Sequence, residues 1–554
     1  MFYNFQNKRK QLTEKTNMKI PELVALLLYF VVLLAIGISF YFKDRKAGGG
    51  EKTYFLGDRN MNGWVSAFSA GASDMSAWVL MGLPGAIYLS GIGQVWIAVG
   101  LLIGTILAWV FVAPRLRRFS IAASDSITVP QFLTNRFKTK RKGILLASAI
   151  VFMVAYCIYA ASSISACGTL FNTVLGMDPM IAMVIATVVI VIYTFLGGYN
   201  AVCWTDFFQG LIMLIALMLA PILALAMMKS SVFTAPADPI PANFFNVYSS
   251  GKSDWNSWRD IISGLGWGLG YFGMPHILIR YFSVRNEKEM NKSRVIGCTW
   301  IFIILSAASI VGLLGRKFFG TMLQTTGKQD LVFIQMIRDV FEWIGSSTGL
   351  ITLFVFLAGV LLSAILAASM STADSQLLAS SSAFVSDIYR PFIRKNAGDR
   401  EMMWAGRLIM VLIAVVAFVI ASSPDCGGIM ALVSCAWGAF GAAFGPVILL
   451  ALFWKRFNYN GALAGIIAGF AVDIVWYLKL SSATGVYEIV PGFLAGLIVA
   501  VIVTLITKAP EAEVQELFDN ANKKTEQTCF LLCCPPRGDR KTVSPLFFGL
   551  KNKF

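Results

Sequence analysis

Residues 68–83 read FSAGASDMSAWVLMGL, an apolar run that carries a carboxylate, Asp74, among the small side chains Gly71, Ala72, Ser73 and Ser76. An ionised aspartate in the middle of a membrane span costs about 2.5–3.5 kcal/mol on insertion scales, so it must face a cavity, a cation or a partner. Two readings follow from the residues alone. Asp74 is a structural carboxylate bonded to loosened backbone N–H groups, or it supplies negative potential to a cation site for which its small neighbours leave room.

The rest of the chain makes the membrane setting plain. Its 554 residues are 57% hydrophobic and 14% charged, with mean hydropathy +0.69, and a soluble surface needs far more charge. Apolar segments recur from end to end, each long enough at 1.5 Å per residue to cross hydrocarbon as a helix. The pattern predicts an all-α integral membrane protein of about 13 spans, at roughly 20–42, 63–89, 92–113, 143–172, 180–198, 206–228, 258–280, 295–315, 348–386, 404–422, 427–454, 461–480 and 487–507. The first run is too long, and lacks the small-residue cleavage site, of a signal peptide.

The formal net charge of +16 does not point to nucleic acid, because Lys and Arg lie in short loops between spans. Assigned alternately, the loops of one side collect about 24 of them, including Arg115, Arg117, Arg118, Arg136, Lys138 and Lys140–Lys142, against about 8 on the other. That bias puts the N-terminus outside and the C-terminus in the cytoplasm; the basic tail NKRKQLTEKTNMK argues the other way and is outweighed by the summed loops. Of nine cysteines, Cys157, Cys167, Cys203, Cys298 and Cys435 fall in or beside spans and read as small packing residues, with no disulfide framework.

Two spans are irregular. The second is interrupted by AGASDMSA, and the seventh holds GLGWGLGYFG, with glycine at 264, 266, 268, 270 and 273. Such glycine density frees backbone groups, and unwound backbone survives in a membrane only where protein or a water-filled cavity satisfies it. The two lie five spans apart, so they open two groups of five. Interrupted segments at matching positions of two halves point to a transporter site at the bilayer midplane.

Two further groups carry chemistry. In LLSAILAASMSTADSQLLASSSA, Ala368, Ser371 and Thr372 fall at i, i+3 and i+4 on one helical face, where a carbonyl and two hydroxyls suit a hard monovalent cation; the same spacing also serves helix packing. Trp267, Tyr271 and Pro275, spaced by four, can close over a small ligand or form a packing stripe, and Pro275 interrupts the helix. GLGYFG also fits the dinucleotide pattern G-x-G-x-x-G, but no strand precedes it. His276, the single histidine, reads as structural or helix-ending, near the basic-loop end of its span.

These stretches, with TFLGGYNAVCWTDFFQG, GWGLGYFGMPHILIRYF, AWGAFGAAFGP and NGALAGIIAG in order over about residues 20–510, resemble the sodium/solute symporter family, and within it the branch that carries proline. The resemblance implies a LeuT-type five-plus-five inverted repeat with one leading and two trailing helices, working by alternating access as a monomer in the plasma membrane. It divides the chain into an N-terminal tail (1–19), a leading helix and cytoplasmic loop (20–62), a first repeat (63–228), an extracellular loop (229–257), a second repeat (258–454), trailing helices (455–507) and a cytoplasmic tail (508–554).

It implies sodium-coupled import of L-proline or a related small amino acid, with Na+ as coupling ion, no organic cofactor and no catalysis. The alternative is a proton- or sodium-coupled transporter of another small organic solute. By resemblance, Ala72, Met75 and Ala368 offer carbonyls and Ser371 and Thr372 hydroxyls to sodium, with Asp74 a nearby charge. Ser76, Trp267, Tyr271, Met274 and Pro275 line the substrate site, and Arg59 belongs to the cytoplasmic entrance that affects coupling. Ala77 and Met274 stand where the family pattern has glycine and glutamine. The tail from Thr528 reads as unstructured, with Cys533 and Cys534 incidental.

Overall fold

The computed structural model describes residues 19–46, 50–423 and 426–533. Among them every element is helical, apart from one isolated bridge between Met61 and Val284. Each expected span falls on helix. The chain runs through α1 (Ile20–Lys46), α2 (Gly63–Asp74), α3 (Leu83–Ser90), α4 (Val95–Leu107), α5 (Gly143–Leu175), α6 (Pro179–Met228), α7 (Trp255–Gly266), α8 (Pro275–Ser283), α9 (Glu287–Phe319), α10 (Ile351–Phe384), α11 (Asp399–Ser422), α12 (Ile429–Phe453), α13 (Tyr459–Val475) and α14 (Ile489–Ile506). Ten helical runs among the described residues are long and apolar enough to cross a membrane. Outward-facing Leu27 and Val31 on α1, Val415 and Val419 on α11 and Ile498 and Ile502 on α14 form the exposed apolar surface that hydrocarbon requires.

The 50-residue α6 contains two expected spans joined at Gly198, whose φ of 55° departs from the helix. Tyr193 and Gly197 lie against Gly37 of α1, whereas Gln209 hydrogen-bonds Tyr29, two turns back along α1. The second limb therefore runs back along the helix that the first limb reached. At Gly198 a Cβ would come within 2.6 Å of the Tyr54 ring, so the positive φ and the tight approach both require glycine.

The two broken segments lie side by side and antiparallel at the centre. Met61 N–H donates to Ser283 O at 3.0 Å, Ser69 accepts from Arg280 Nε at 3.1 Å, and Asp74 meets Tyr271. Thus α2 and α3 are followed in one direction while α7 and α8 are followed in the other, as an inverted repeat demands.

Three elements depart from the sequence reading. An amphipathic helix, Val332–Thr348, stands in the connection before α10, anchored by Arg338 on the buried Glu22 of α1 at 3.1 Å. Beyond α14 the chain is helical over Ala512–Cys533, so the first residues of the tail expected to be unstructured are helix, and the rest of that tail, Cys534 included, lies outside the described residues. In this helix Val514 O accepts from Arg136 and the Phe518 ring stacks 5.1 Å from the same guanidinium. The third departure is the glycine-rich segment. Only Gly273–Met274 is non-helical; Trp267–Phe272 is a 3₁₀ turn. Much of its glycine serves contact: a Cβ on Gly268 would lie 2.2 Å from Gly100 O, and one on Gly104 2.2 Å from Gly268 O.

Candidate functional site

At the first break α2 ends where its own hydrogen-bond ladder fails. Met75 N–H still reaches Gly71 O at 2.9 Å, but Ser76 N–H, next in the series, turns to Asp74 O at 3.0 Å. Ala72 O is left without its helical donor at a C-terminus, the negative end of the helix dipole. The hydroxyls of α10 come to it: Ser371 Oγ at 2.8 Å and Thr372 Oγ1 at 3.5 Å. The same hydroxyls lie 3.2 and 3.0 Å from Ala368 O.

Four of the five expected sodium ligands thus converge on one buried point from two helices. All donor atoms are oxygens, which fits a hard monovalent cation. Met75 caps α2 and is fully buried beside them, with its carbonyl in no hydrogen bond. Gly71 leaves no room for an ion: a Cβ there would strike the Trp300 ring at 2.6 Å, so this glycine serves helix packing.

Asp74 is fully buried and takes no backbone N–H, which removes the first reading of its role. Oδ2 accepts the Tyr271 hydroxyl and Oδ1 has no hydrogen-bond partner. Its carbonyl accepts from Trp78 Nε1 at 3.2 Å and from Tyr159 OH at 3.3 Å. The carboxylate therefore faces the second broken segment, one residue from the sodium-type donors.

There the four-residue spacing predicts one α-helical face, but the 3₁₀ turn advances three residues per turn. Trp437 of α12 is what joins Trp267 to Tyr271. Its Nε1 donates to Trp267 O at 2.8 Å, and its ring meets Tyr271 edge-on at 5.3 Å. Gly270 makes this possible, since a Cβ would lie 2.0 Å from Trp437 Nε1. Tyr487 stacks on Trp267 at 5.0 Å, and Trp78 lies 6.1 Å from it. Pro275 and Met274 begin α8 at the break, both buried. Ser76 is buried opposite, and Ala77 starts the π turn Trp78–Gly82.

His276 is in the first turn of α8, at the break and not at the loop end of its span. It is fully buried, its ring 6.0 and 6.1 Å from those of Tyr156 and Tyr159, and neither ring nitrogen has a hydrogen-bond partner.

One layer further toward the basic face, Arg280 binds Asp206 at 3.2 Å and Ser69 at 3.1 Å and donates to Ser375. Tyr193 donates to Asp374 at 2.6 Å. This buried network ties α2, α6, α8 and α10 together. None of the motifs above contains this network as a site, although the cost of an intramembrane charge that singles out Asp74 applies equally to Asp206, Arg280 and Asp374.

Arg59 closes the basic face. Its guanidinium donates to Asp125 at 2.7 Å, Ser126 O at 2.7 Å, Phe282 O at 2.8 Å and Ser120 at 3.0 Å, and Lys52 also binds Asp125. Both sides of the pair sit on strained turns: Asp58, Arg59, Ser124 and Asp125 all have positive φ, between 51° and 56°, a conformation costly for residues with a side chain. Partial burial works to raise the Asp125 carboxyl, but Lys52 and Arg59 outweigh it and hold it below its ordinary 3.8.

A bundle of this topology, with two antiparallel broken helices and an oxygen-lined point between the first break and α10, has the architecture of a sodium-coupled secondary transporter. The sequence pattern of the sodium:solute symporter family matches residues 54–469, and the chain belongs to that family. It is 41% identical to the high-affinity proline transporter PutP of Bacillus subtilis, over 80% of this chain and 89% of the relative. It is 38% identical to the osmoregulated proline transporter OpuE of the same organism, over 90% and 98%. Identity to the sodium/proline symporter of Escherichia coli is 39%, over 80% and 85%. In fold it resembles a Na+-coupled sialic acid symporter solved in a substrate-bound outward-open state, with TM-score 0.71 at 20% identity over 89% of this chain and 98% of that one.

Proposed function

We propose that this protein imports L-proline, or a closely related small amino acid, together with sodium by alternating access. The observation that carries the reading is the freed carbonyl of Ala72 facing Ser371 and Thr372, beside the aromatic group of Trp267, Tyr271 and Trp437. Sodium would take the carbonyls of Ala72, Met75 and Ala368 and the two hydroxyls, whose lone pairs turn inward once the ion replaces their present acceptors. Asp74 adds negative potential from the adjacent position. Substrate would lie between Ser76 and the group Trp267, Tyr271, Met274 and Pro275, with the free end of α8 toward its carboxylate.

Sodium bound between α2 and α10 fixes the end of α2, and with it Asp74 and Tyr271. The substrate then meets an ordered site, so each ligand tightens the other by the same factor. One ion crossing ~100 mV supplies about 2.3 kcal/mol, and a tenfold sodium gradient about 1.4. Together these sustain roughly several-hundred-fold accumulation of a zwitterion at one-to-one stoichiometry. In this reading the protein works as a monomer in the plasma membrane, its N-terminus outside and C-terminus in the cytoplasm, with Arg59 at the cytoplasmic gate.

The test is uptake of labelled proline into proteoliposomes with sodium or choline outside, competed by unlabelled amino acids and other small solutes. Sodium-dependent uptake displaced by proline supports the proposal. Equal uptake in choline, uptake driven by a pH step alone, or displacement only by another solute overturns it.

A further inference from the structure

A second set of ionisable groups lies outside the sodium and substrate sites, where α12, α13 and the start of α14 meet. Asp473 of α13 is 1% exposed and Glu488, which precedes α14, is 3% exposed. Neither Asp473 oxygen has a hydrogen-bond partner, nor has Glu488 Oε1. Both side chains converge on Gly438 of α12, where a Cβ would lie 2.8 Å from Asp473 Oδ1 and 3.2 Å from Glu488 Cγ. Cys435, one turn earlier on α12, is buried and faces the same pair. Its thiol makes no hydrogen bond.

Among the described residues no Lys or Arg forms an ion pair with either carboxylate. Arg259 packs its guanidinium on Gly485 and pairs with Asp260 through two hydrogen bonds at 2.8 and 2.9 Å. The other titratable neighbours are Tyr487, whose hydroxyl donates to Ser434 O at 2.9 Å, and the more exposed Tyr477. Among the described residues no three His, Cys, Asp or Glu side chains are placed to hold a metal ion. Two ionised carboxylates buried with three bare oxygens are strongly disfavoured, and a proton supplies both the positive charge and the donor that the pair lacks. Glu488 has partial compensation from the start of α14; Asp473 has none.

We propose that Asp473 and Glu488 form a proton-binding site, holding one proton between them, and that its occupancy sets the position of the aromatic wall. The link is covalent. Tyr487, next to Glu488, is the residue stacked on Trp267 at 5.0 Å. With the proton bound, the pair packs against Gly438 and holds the start of α14 in place. With it lost, two like charges repel across the gap, and Tyr487 moves with Glu488 away from Trp267.

The experiment is infrared spectroscopy of the purified full-length protein at neutral pH, in choline chloride and in sodium chloride, with tryptophan fluorescence followed over pH. It requires no assumption about the transported solute, so its failure and that of the transport reading are distinguishable. The wild type should show a protonated-carboxyl band that both Asp473→Asn and Glu488→Gln lose by one carboxyl, because the new amide donates to the remaining carboxylate and replaces the proton. The fluorescence transition of the wild type on alkalinisation should disappear in both variants. A band unchanged in either folded variant, or a fluorescence transition that persists in both, overturns the proposal. A wild-type band lost when sodium replaces choline assigns the pair to a sodium ion and also overturns it.

Discussion

The two broken segments share a geometry and differ in what they present. At the first, α2 stops with a carbonyl freed at its C-terminus, and α10 brings two hydroxyls to 2.8 and 3.5 Å from it. At the second, α8 starts with Pro275, which has no N–H, and the preceding 3₁₀ turn presents Trp267 and Tyr271 against Trp437. One break exposes oxygen, and the other exposes rings and an amino end; in the proposed function the first takes the cation and the second a zwitterion with an apolar body. The bond between Asp74 and Tyr271 crosses from one to the other. In the proposed function it is where binding of the two ligands is coupled.

This division of labour makes the strongest prediction concern the oxygens alone. Removing both hydroxyls in a Ser371→Ala, Thr372→Ala variant should raise the sodium concentration for half-maximal uptake by roughly tenfold or more, equivalent to about 1.4 kcal/mol. Substrate affinity at saturating sodium should change little. An equal loss in both measurements would mean the breaks are not separable.

The mirror experiment is Trp267→Ala, expected to weaken substrate affinity about tenfold with a smaller change in sodium dependence. The opposite order would exchange the roles of the two breaks. Gly270→Ala tests the wall without touching a ligand group. A methyl cannot share the space of Trp437 Nε1, so the variant should lose about 1–3 kcal/mol of stability to overpacking, visible as a lower melting temperature together with lost substrate binding.

The smallest effect is expected at the basic face. Asp125→Asn removes the main anchor of Arg59 and should slow sodium-coupled uptake by a few-fold while leaving both equilibrium affinities near the wild-type values. Asp125 has a depressed carboxyl, so its contribution is present above the ordinary 3.8 and is lost only as pH falls through the lower folded value. Gate closure measured by cysteine accessibility at the basic face should therefore be flat across neutral pH and fail only in strong acid.

Much of this site is legible in the sequence because membranes penalise the features that make it. A carboxylate in an apolar run and clustered glycines violate the rules for an ordinary span, and the hydroxyls of α10, which helix packing alone would also allow, meet the first of the two breaks. Asp206, Arg280 and Asp374 violate the same rules. They fall near the ends or within long runs of other polar residues, where the charge stands out less than Asp74 does among alanines and glycines. Trp437 and Tyr487 carry no such signal, because an aromatic residue in a membrane helix is ordinary until its neighbours are known.

What the sequence by itself determined is the local chemistry: helices of membrane length, two interruptions, a stranded aspartate, and oxygen donors on one face of α10. Those follow from hydropathy, periodicity and backbone propensity, which act within a few turns. Only the tertiary structure decided which interruption meets which donor. It turned Gly71, Gly268 and Gly270 from unwinding residues into points of close contact, aimed Asp74 at Tyr271, and brought Tyr487, just before α14, onto Trp267. Contacts between residues some 200 positions apart are fixed by the packing of whole helices, and no local pattern in the chain encodes them.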